Sequence, residues 1–318
     1  MERRRFVGLA GGMALGPLFA WAQRPEGKPL VGMLFISNAE PIRSMFLKRM
    51  AELGHVDGSS IRFEYRNAMN QADALATMAA DLVRMKVDVI VAVQTPAAHA
   101  ARKATATIPI IVIAGDPVGT GLVASLSHPG GNLTGFSPAA ADIGGKLLEL
   151  LREVRPALKR VAVLANRNDP FAKPFLRQIE DAGAQAAIGI VAAAVAAPAE
   201  FAGAFAAFAR QNAEALIVQP SLPRKRVLEL ATQYRFASIS PSAAFATDGG
   251  LLAYSTTLDE QSRSIADYVD KVLKGARPAE LPIRQPTLFE LAVNRRTANA
   301  IGLAIPQSVL VRADRIID

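Results

Sequence analysis

The 318-residue chain contains no cysteine. That excludes structural disulfides, thiolate metal sites and cysteine nucleophiles. It also removes the residue through which an exported protein would carry a lipid anchor. Histidine is scarce. His55, His99 and His128 are scattered, and none has a second His or a carboxylate at metal-ligand spacing on a helix. His55 follows a helix-ending Gly and His128 precedes a Pro-Gly-Gly turn, so both are expected to be exposed loop residues. No Gly-x-Gly-x-x-Gly follows a strand, no Walker loop is present, and no Gly-x-Ser-x-Gly elbow marks a hydrolase nucleophile. Aromatic residues make up only 6%, so the interior has to be built from Ala, Val, Leu and Ile. Long apolar runs are missing too. Residues 183–199 carry no charge but are mostly Ala and Gly, too short and too weakly apolar to span a bilayer. They read as a buried strand with its flanks.

What is present begins with an address. Arg3-Arg4-Arg5-Phe6-Val7 leads into a weakly apolar run that ends at Ala20-Trp21-Ala22. A cationic head, an apolar middle and a small-x-small cleavage site are the parts of an export signal, here of the twin-arginine kind. The run from Val7 to Ala22 is interrupted by Gly8, Gly11, Gly12, Gly16 and Pro17, which argues against a retained spanning helix. Removing residues 1–22 takes away three Arg and one Glu, and the formal charge falls from +8 to +6. The only dense basic cluster left is Arg224-Lys225-Arg226, which reads as a solvated helix face and not as a nucleic-acid surface. With no anchoring Cys, the mature product is expected to be free in a periplasm. Its length suits two domains.

From residue 29 short apolar runs alternate with amphipathic stretches. Strands are expected at 30–36, 61–65, 87–93, 108–113 and 133–136, with helices at 41–53, 72–85 and 97–106 between them. After a break at 135–140 the pattern restarts near residue 160. Strands at 160–165, 187–195, 215–218 and 251–255 alternate with helices at 170–183, 199–212, 227–234 and 258–273. A Pro-rich link (Pro278, Pro282, Pro286), a strand at 288–293 and a short helix close the chain. Near-continuous apolar strands alternating with helices argue parallel sheets covered on both faces. The fold class is therefore α/β, with two successive parallel α/β halves that mean two lobes and a cleft at the C-terminal strand ends. The Pro-rich link suggests that the chain crosses between lobes more than once.

The loops at those strand ends carry the polar residues. Ser37 ends the first strand. In Gln94-Thr95-Pro96-Ala97, Thr95 reads as an N-cap with Pro96 at the first helical position, and the free N–H groups that follow, Ala97 among them, suit a carboxylate. Asp116 follows the next strand and suits either a ligand amine or an Asx turn. Ser137 lies at the lobe boundary. The matching loops of the second half hold Asn166, Asp169 and Phe171, then Gln219 and Ser221, then Ser242 and Tyr254. Phe171 and Tyr254 could form an aromatic wall or simply pack in the core. Polar groups converging from two lobes suit the clamping of a small polar ligand.

At these loops a resemblance emerges. The blocks ELGHVDGSSIRFEYR, LVRMKVDVIVAVQTPAAHAARKAT, IPIIVIAGDPVGTGLVASLSHPGGNLTGFS, YVDKVLKGARPAELPIRQPTLFELAVNRRTANAIGLAIP and VLVRADRIID closely resemble the periplasmic substrate-binding proteins of an ABC-transporter family. The likeness runs from about residue 29 to 318, and some relatives look like tryptophan/tyrosine or aromatic amino-acid binders. It implies a type I periplasmic-binding-protein fold of two Rossmann-like lobes whose hinge has three crossovers, with lobe 1 at 29–137 plus 256–284 and lobe 2 at 138–255 plus 285–318. It implies a ligand, an ABC permease and its ATPase as partners, a monomer, and neither cofactor nor catalysis. By this resemblance Thr95, Ala97, Asp116 and Ser137 fall on first-lobe binding loops, and Asn166, Asp169, Gln219, Ser221 and Ser242 on second-lobe ones. The second-lobe loops depart from the Ser/Asn-rich pattern of amino-acid-binding relatives. They read Asn-Arg-Asn-Asp-Pro-Phe and Gln-Pro-Ser-Leu-Pro. An amino acid, possibly aromatic, is the favoured ligand. A periplasmic sensor that presents its bound state to a receptor is the alternative. Two-lobed racemases need paired cysteines, and a sugar-sensing repressor needs an N-terminal DNA-binding helix pair where the export signal stands.

Overall fold

Two sheets organise the chain in a computed structural model that describes residues 27–38, 40–138 and 143–318. The export signal expected at residues 1–22 lies outside the described residues. The first sheet is built from β1 (Leu30–Phe35), β2 (Arg62–Asn67), β3 (Val89–Val93), β4 (Ile110–Ile113) and β5 (Leu133–Phe136). Its order is β2-β1-β3-β4-β5 and every pair is parallel. Strands β1, β3 and β4 are buried along their whole length, which is why they read as unbroken apolar runs. Helices α1 (Ile42–Glu52), α2 (Ala74–Arg84) and α3 (Thr95–Ala104) connect the strands. Helices α2 and α3 pack Leu75, Ala79, Leu82 and Ala98 on one face of the sheet. Gly135 shows how tightly β5 is set. Its φ is +150°, and a Cβ there would lie 2.1 Å from the Val112 carbonyl oxygen, so only glycine fits.

The second sheet follows helix α4 (Ile143–Val154). It comprises β6 (Arg160–Asn166), β7 (Gly189–Val195), β8 (Ala215–Val218), β9 (Ala237–Ser240) and β10 (Leu252–Thr256), with α5 (Ala172–Ala186), α6 (Phe201–Arg210) and α7 (Arg224–Gln233) between them. Helix α8 (Leu258–Leu273) then returns to the first sheet, where Ile265, Tyr268 and Val269 pack with Phe46 and Met50 of α1. The chain goes back once more for β11 (Phe289–Asn294), α9 (Arg295–Ala300), α10 (Gln307–Arg312) and β12 (Arg315–Ile317). The strand order is β12-β11-β10-β9-β8-β6-β7. Passages between the sheets thus follow β5, β10 and Arg284. They are tied together: the Ser137 amide donates to the Arg284 carbonyl at 2.9 Å, and Glu260 on α8 accepts from the amide and hydroxyl of Thr287 at 2.9 and 2.8 Å.

Several expectations change. The second sheet is mixed, because β11 runs antiparallel to β10. The stretch at 183–199 is no buried strand. Strand β7 is the sheet edge, paired on one side with β6, and only Val191 and Val195 are buried. Helix α4 and strands β9 and β12 have no counterpart among the expected elements. Strand β9 is four residues containing two serines, too short and too polar to announce itself. Helix α4 does carry apolar residues at helical spacing (Ile143, Leu147, Leu148, Leu151, Val154), all buried. His55 is no exposed loop histidine. Its Nε2 lies 2.8 Å from Asp270 of α8, and its side chain is 18% exposed. His128 is exposed as expected. Among the described residues, no helix is long and apolar enough to cross a membrane.

Candidate functional site

In each sheet the chain leaves a central strand in opposite directions, β2-β1-β3 in one and β7-β6-β8 in the other. At such a reversal the loops at the C-terminal strand ends splay apart and leave a crevice. The two crevices face each other. The recess between them is lined by Ser37 after β1, Gln94 and Thr95 after β3, Gly115 after β4, Asp169 and Phe171 after β6, and Ser221 after β8. It encloses about 150 Å³ and opens to solvent. Phe35, Val93, Ile113, Ile143, Phe171 and Leu258 make most of its wall apolar.

Asp169 is the electrostatic centre of the second-lobe side. It is 5% exposed. One carboxylate oxygen accepts from the Phe171 amide at 2.9 Å and the other from Gln219 Nε2 at 2.9 Å. Burial raises its pKa above the ordinary value of 3.8, against the opposing pull of hydrogen bonds from Ser221 and the Phe171 amide. Among the described residues no cation forms an ion pair with it. Gln219, fully buried, uses its other end to accept from the Asn166 amide at 2.7 Å. Asn166 and Gln219 therefore hold Asp169 and the loop from behind and do not line the recess.

The first-lobe side is set by Gln94 and Thr95. Gln94, not Thr95, is the residue before α3, and it sits at φ 76°, ψ 151°. Few residues other than glycine adopt that backbone, and such strain persists only where the surroundings enforce it. The Gln94 side chain accepts from Ser37 Oγ at 3.1 Å and reaches across the cleft towards the Pro220 carbonyl, 3.5 Å away. Thr95 is the first helical residue, 3% exposed, and its hydroxyl oxygen accepts from the Gly115 amide at 3.1 Å. Gly115 meets the other lobe directly: a Cβ on it would lie 2.7 Å from Phe171 Cδ1. The lobes are in contact here, closed over the recess. At the mouth, burial pushes the Glu40 carboxyl up, but hydrogen bonds from Arg43 and Ser44 outweigh it and hold the group below the ordinary carboxylate value.

Of the residues singled out in the sequence, Ser37, Thr95, Asp169, Phe171, Ser221 and Ser242 line the recess. The others take different places. Ala97 is fully buried in the core of the first sheet. Asp116, at φ 39°, turns its carboxylate back on its own loop, its Oδ1 accepting from the Gly119 amide three residues on at 2.8 Å. Ser137 is buried beside the Arg284 crossover. Tyr254 stacks on Phe289 of the neighbouring strand at 5.2 Å and 11°, as core packing and not as a ligand wall. The cluster at 224–226 is not wholly solvated. Lys225 and Arg226 are exposed, but Arg224 lines the recess and pairs with Asp248. Gln94, Gly115 and Gln261 are lining residues that the motif reading leaves unranked. A glutamine between a buried strand and a proline-started helix was the available signal for the first of them.

Known proteins share this architecture. A conserved domain protein from Vibrio cholerae superposes with a TM-score of 0.86 at 25% identity, covering 91% of this chain and all of that one. An ABC domain in complex with L-Trp from Streptococcus pneumonia superposes at 0.83 and 24% identity, covering 92% and 100%. The Tyrosine-binding protein of Clostridioides difficile (strain R20291) is 27% identical over 265 residues, 81% of this chain and 75% of that one. A family profile described as ABC transporter substrate binding protein matches residues 37–317. With two α/β lobes closed on a recess and that match over nearly all of the described residues, the chain belongs to the ABC transporter substrate-binding proteins, which bind a solute and do not turn it over.

Proposed function

We propose that this protein captures an amino acid outside the cytoplasm and delivers it to an ABC permease, whose ATPase drives import. The observation that carries the amino-acid reading is a buried Asp169 with no cation paired to it among the described residues, set in a mostly apolar recess. A ligand ammonium supplies the charge that Asp169 lacks, and the apolar wall takes a hydrocarbon side chain. The Thr95 hydroxyl, which accepts from the Gly115 amide and can donate its own hydrogen, and the first amides of α3 offer a place for the carboxylate, with the helix dipole favouring it. The names of the tyrosine- and tryptophan-binding relatives support the same class. Ser37, Thr95, Asp169, Phe171, Ser221 and Ser242 are the ligand contacts on this reading. Lobe 1 comprises 29–137 plus 256–284 and lobe 2 comprises 138–255 plus 285–318, hinged at the three crossovers.

Export through the N-terminal arginine signal, release without a lipid anchor and action as a monomer complete the proposal. Thermal denaturation of ligand-stripped protein with each L-amino acid is the direct test. A ligand near 1,000 times its Kd stabilises by about 4 kcal/mol, a shift of several degrees. No shift with any of the twenty would refute the amino-acid assignment. Cell fractionation with mass determination of the mature N-terminus tests the export route: a product retaining Arg3–Arg5 in the cytoplasm would overturn it.

A further inference from the structure

We propose that Gln261 reads the far end of the ligand. Its Oε1 accepts a hydrogen bond from a ring O–H or N–H, so the recess takes tyrosine or tryptophan in preference to phenylalanine or a purely aliphatic amino acid. This rests on the amino-acid reading above and narrows it. Most polar groups of the recess are already engaged with one another. Ser37 donates to Gln94, whose own amide turns towards the Pro220 carbonyl. Ser221 donates to Asp169, which also accepts from the Phe171 amide and Gln219. Gln261 is engaged at one end only. Its Nε2 donates to Thr256 Oγ1 at 2.6 Å and to the Thr256 carbonyl at 3.3 Å. A carbonyl only accepts, so the nitrogen is fixed on Thr256 and the oxygen is turned away from it. Among the described residues nothing donates to that oxygen, although the side chain lines the recess and is 8% exposed. A buried acceptor without a donor is costly. The Ser242 hydroxyl, also in the lining, either donates or accepts and makes no such demand.

The position of Gln261 along α8 is that of a core residue. Leu258, Gln261, Ile265, Val269 and Val272 form one stripe at helical spacing, and the last three are buried against the first sheet. An apolar side chain at 261 would extend that layer, so an amide there points to a polar task. The stripe also fixes where the amide stands. Helices α1 and α8 cover one face of the first sheet, and α2 and α3 cover the other. Thr95, which opens α3, and Gln261 thus approach the recess from opposite faces of that sheet. Phe35, Val93 and Ile113, at the strand ends between them, belong to the α8 side. A ligand whose carboxylate meets α3 lays its hydrocarbon along these three and brings its tip to Gln261. Phenylalanine would leave Oε1 unpaired there, and a site that hydrogen-bonds a ligand donor discriminates strongly against the analogue that lacks it.

The test is calorimetric titration of ligand-stripped protein with two matched pairs. One is L-tyrosine against para-fluoro-L-phenylalanine, the other L-tryptophan against benzothienyl-L-alanine, in which sulfur replaces the indole N–H. Wild type should bind at least one natural ligand about tenfold or more tightly than its donor-less isostere. Gln261→Met keeps the length of the side chain and removes the acceptor. It should bring that ratio close to one by weakening the natural ligand, with far-ultraviolet circular dichroism unchanged. If that variant does not fold, Thr256→Val, which removes one of the two bonds that orient the amide, should lower the ratio in its place. Equal binding within both pairs, or tight binding only of an amino acid without a ring donor, would overturn the proposal while leaving the amino-acid reading intact. An unmoved ratio in a folded variant would remove Gln261 from its role. A silent thermal panel of all twenty amino acids would defeat the amino-acid reading itself.

Discussion

Three residues of the cleft make separable predictions. Asp169 has its pKa raised by burial, so its charged form is disfavoured in the folded protein. A raised folded pKa gives a contribution to stability that is full below the unfolded value and lost as pH climbs through the folded one. Ligand-free wild type should therefore lose melting temperature relative to Asp169→Asn as pH rises above the ordinary carboxylate value of 3.8; parallel curves would contradict the assignment. The same variant should weaken binding of an ammonium ligand by tenfold or more, read by titration. Gln94, at φ 76°, stores strain on the order of 1–3 kcal/mol. Gln94→Gly should accordingly be more stable than Gln94→Ala by about 1 kcal/mol in urea unfolding, since both lose the side chain and only Gly relieves the backbone. Gly115→Ala places a methyl 2.7 Å from Phe171 Cδ1. It should prop the lobes apart, seen as a larger ligand-saturated radius of gyration in solution scattering, with the unfolding midpoint little changed.

Helix α8 is where element-scale physics decides the architecture. Its sixteen residues follow a strand of the second sheet yet pack on the first, because Ile265, Ala266, Val269 and Val272 complete the apolar layer begun by Phe46 and Met50. Thr257 caps it, its hydroxyl oxygen accepting from the Glu260 amide at 3.0 Å. Glu260 does not return the favour. Its carboxylate instead holds Thr287, so the second and third crossovers share one anchor. Thr257→Ala should cost about 1 kcal/mol of stability by denaturant unfolding. Glu260→Gln keeps a hydrogen-bonding oxygen and should cost less than Glu260→Ala. If the two are equal, the anchor has no energetic role. Strands β1, β3, β4 and β5 of the first lobe are legible as unbroken apolar runs because they are buried along their whole length. Strand β7 departs from the buried strand its sequence suggests because edge exposure is a property of its neighbours: Gly189–Val195 is as apolar as a central strand but has a partner on one side only.

At the scale of the whole molecule, the amino-acid sequence carries the α/β class, the two-lobed organisation and the family, and it puts polar loops at the strand ends. The class, the two halves and the polar loops follow from local period and composition, which any segment carries within itself, and the family from a resemblance of residue blocks spread along the chain. It did not rank those loop residues. Ala97 and Tyr254 lie in the same loops and strand ends as true lining residues, but one faces the core of its own sheet and the other its neighbour Phe289. Asp116 and Asp169 are both aspartates beyond a strand, yet one folds back on Gly119 and the other is buried in the cleft. Which of two similar residues meets the ligand depends on the direction of a side chain relative to a second lobe, and so on contacts some 50 or more residues away in the chain, such as Gln219 to Asp169 or Phe171 to Gly115. Only the tertiary structure decides those, because long-range closure sets both the orientation and the burial that give a polar side chain its chemistry.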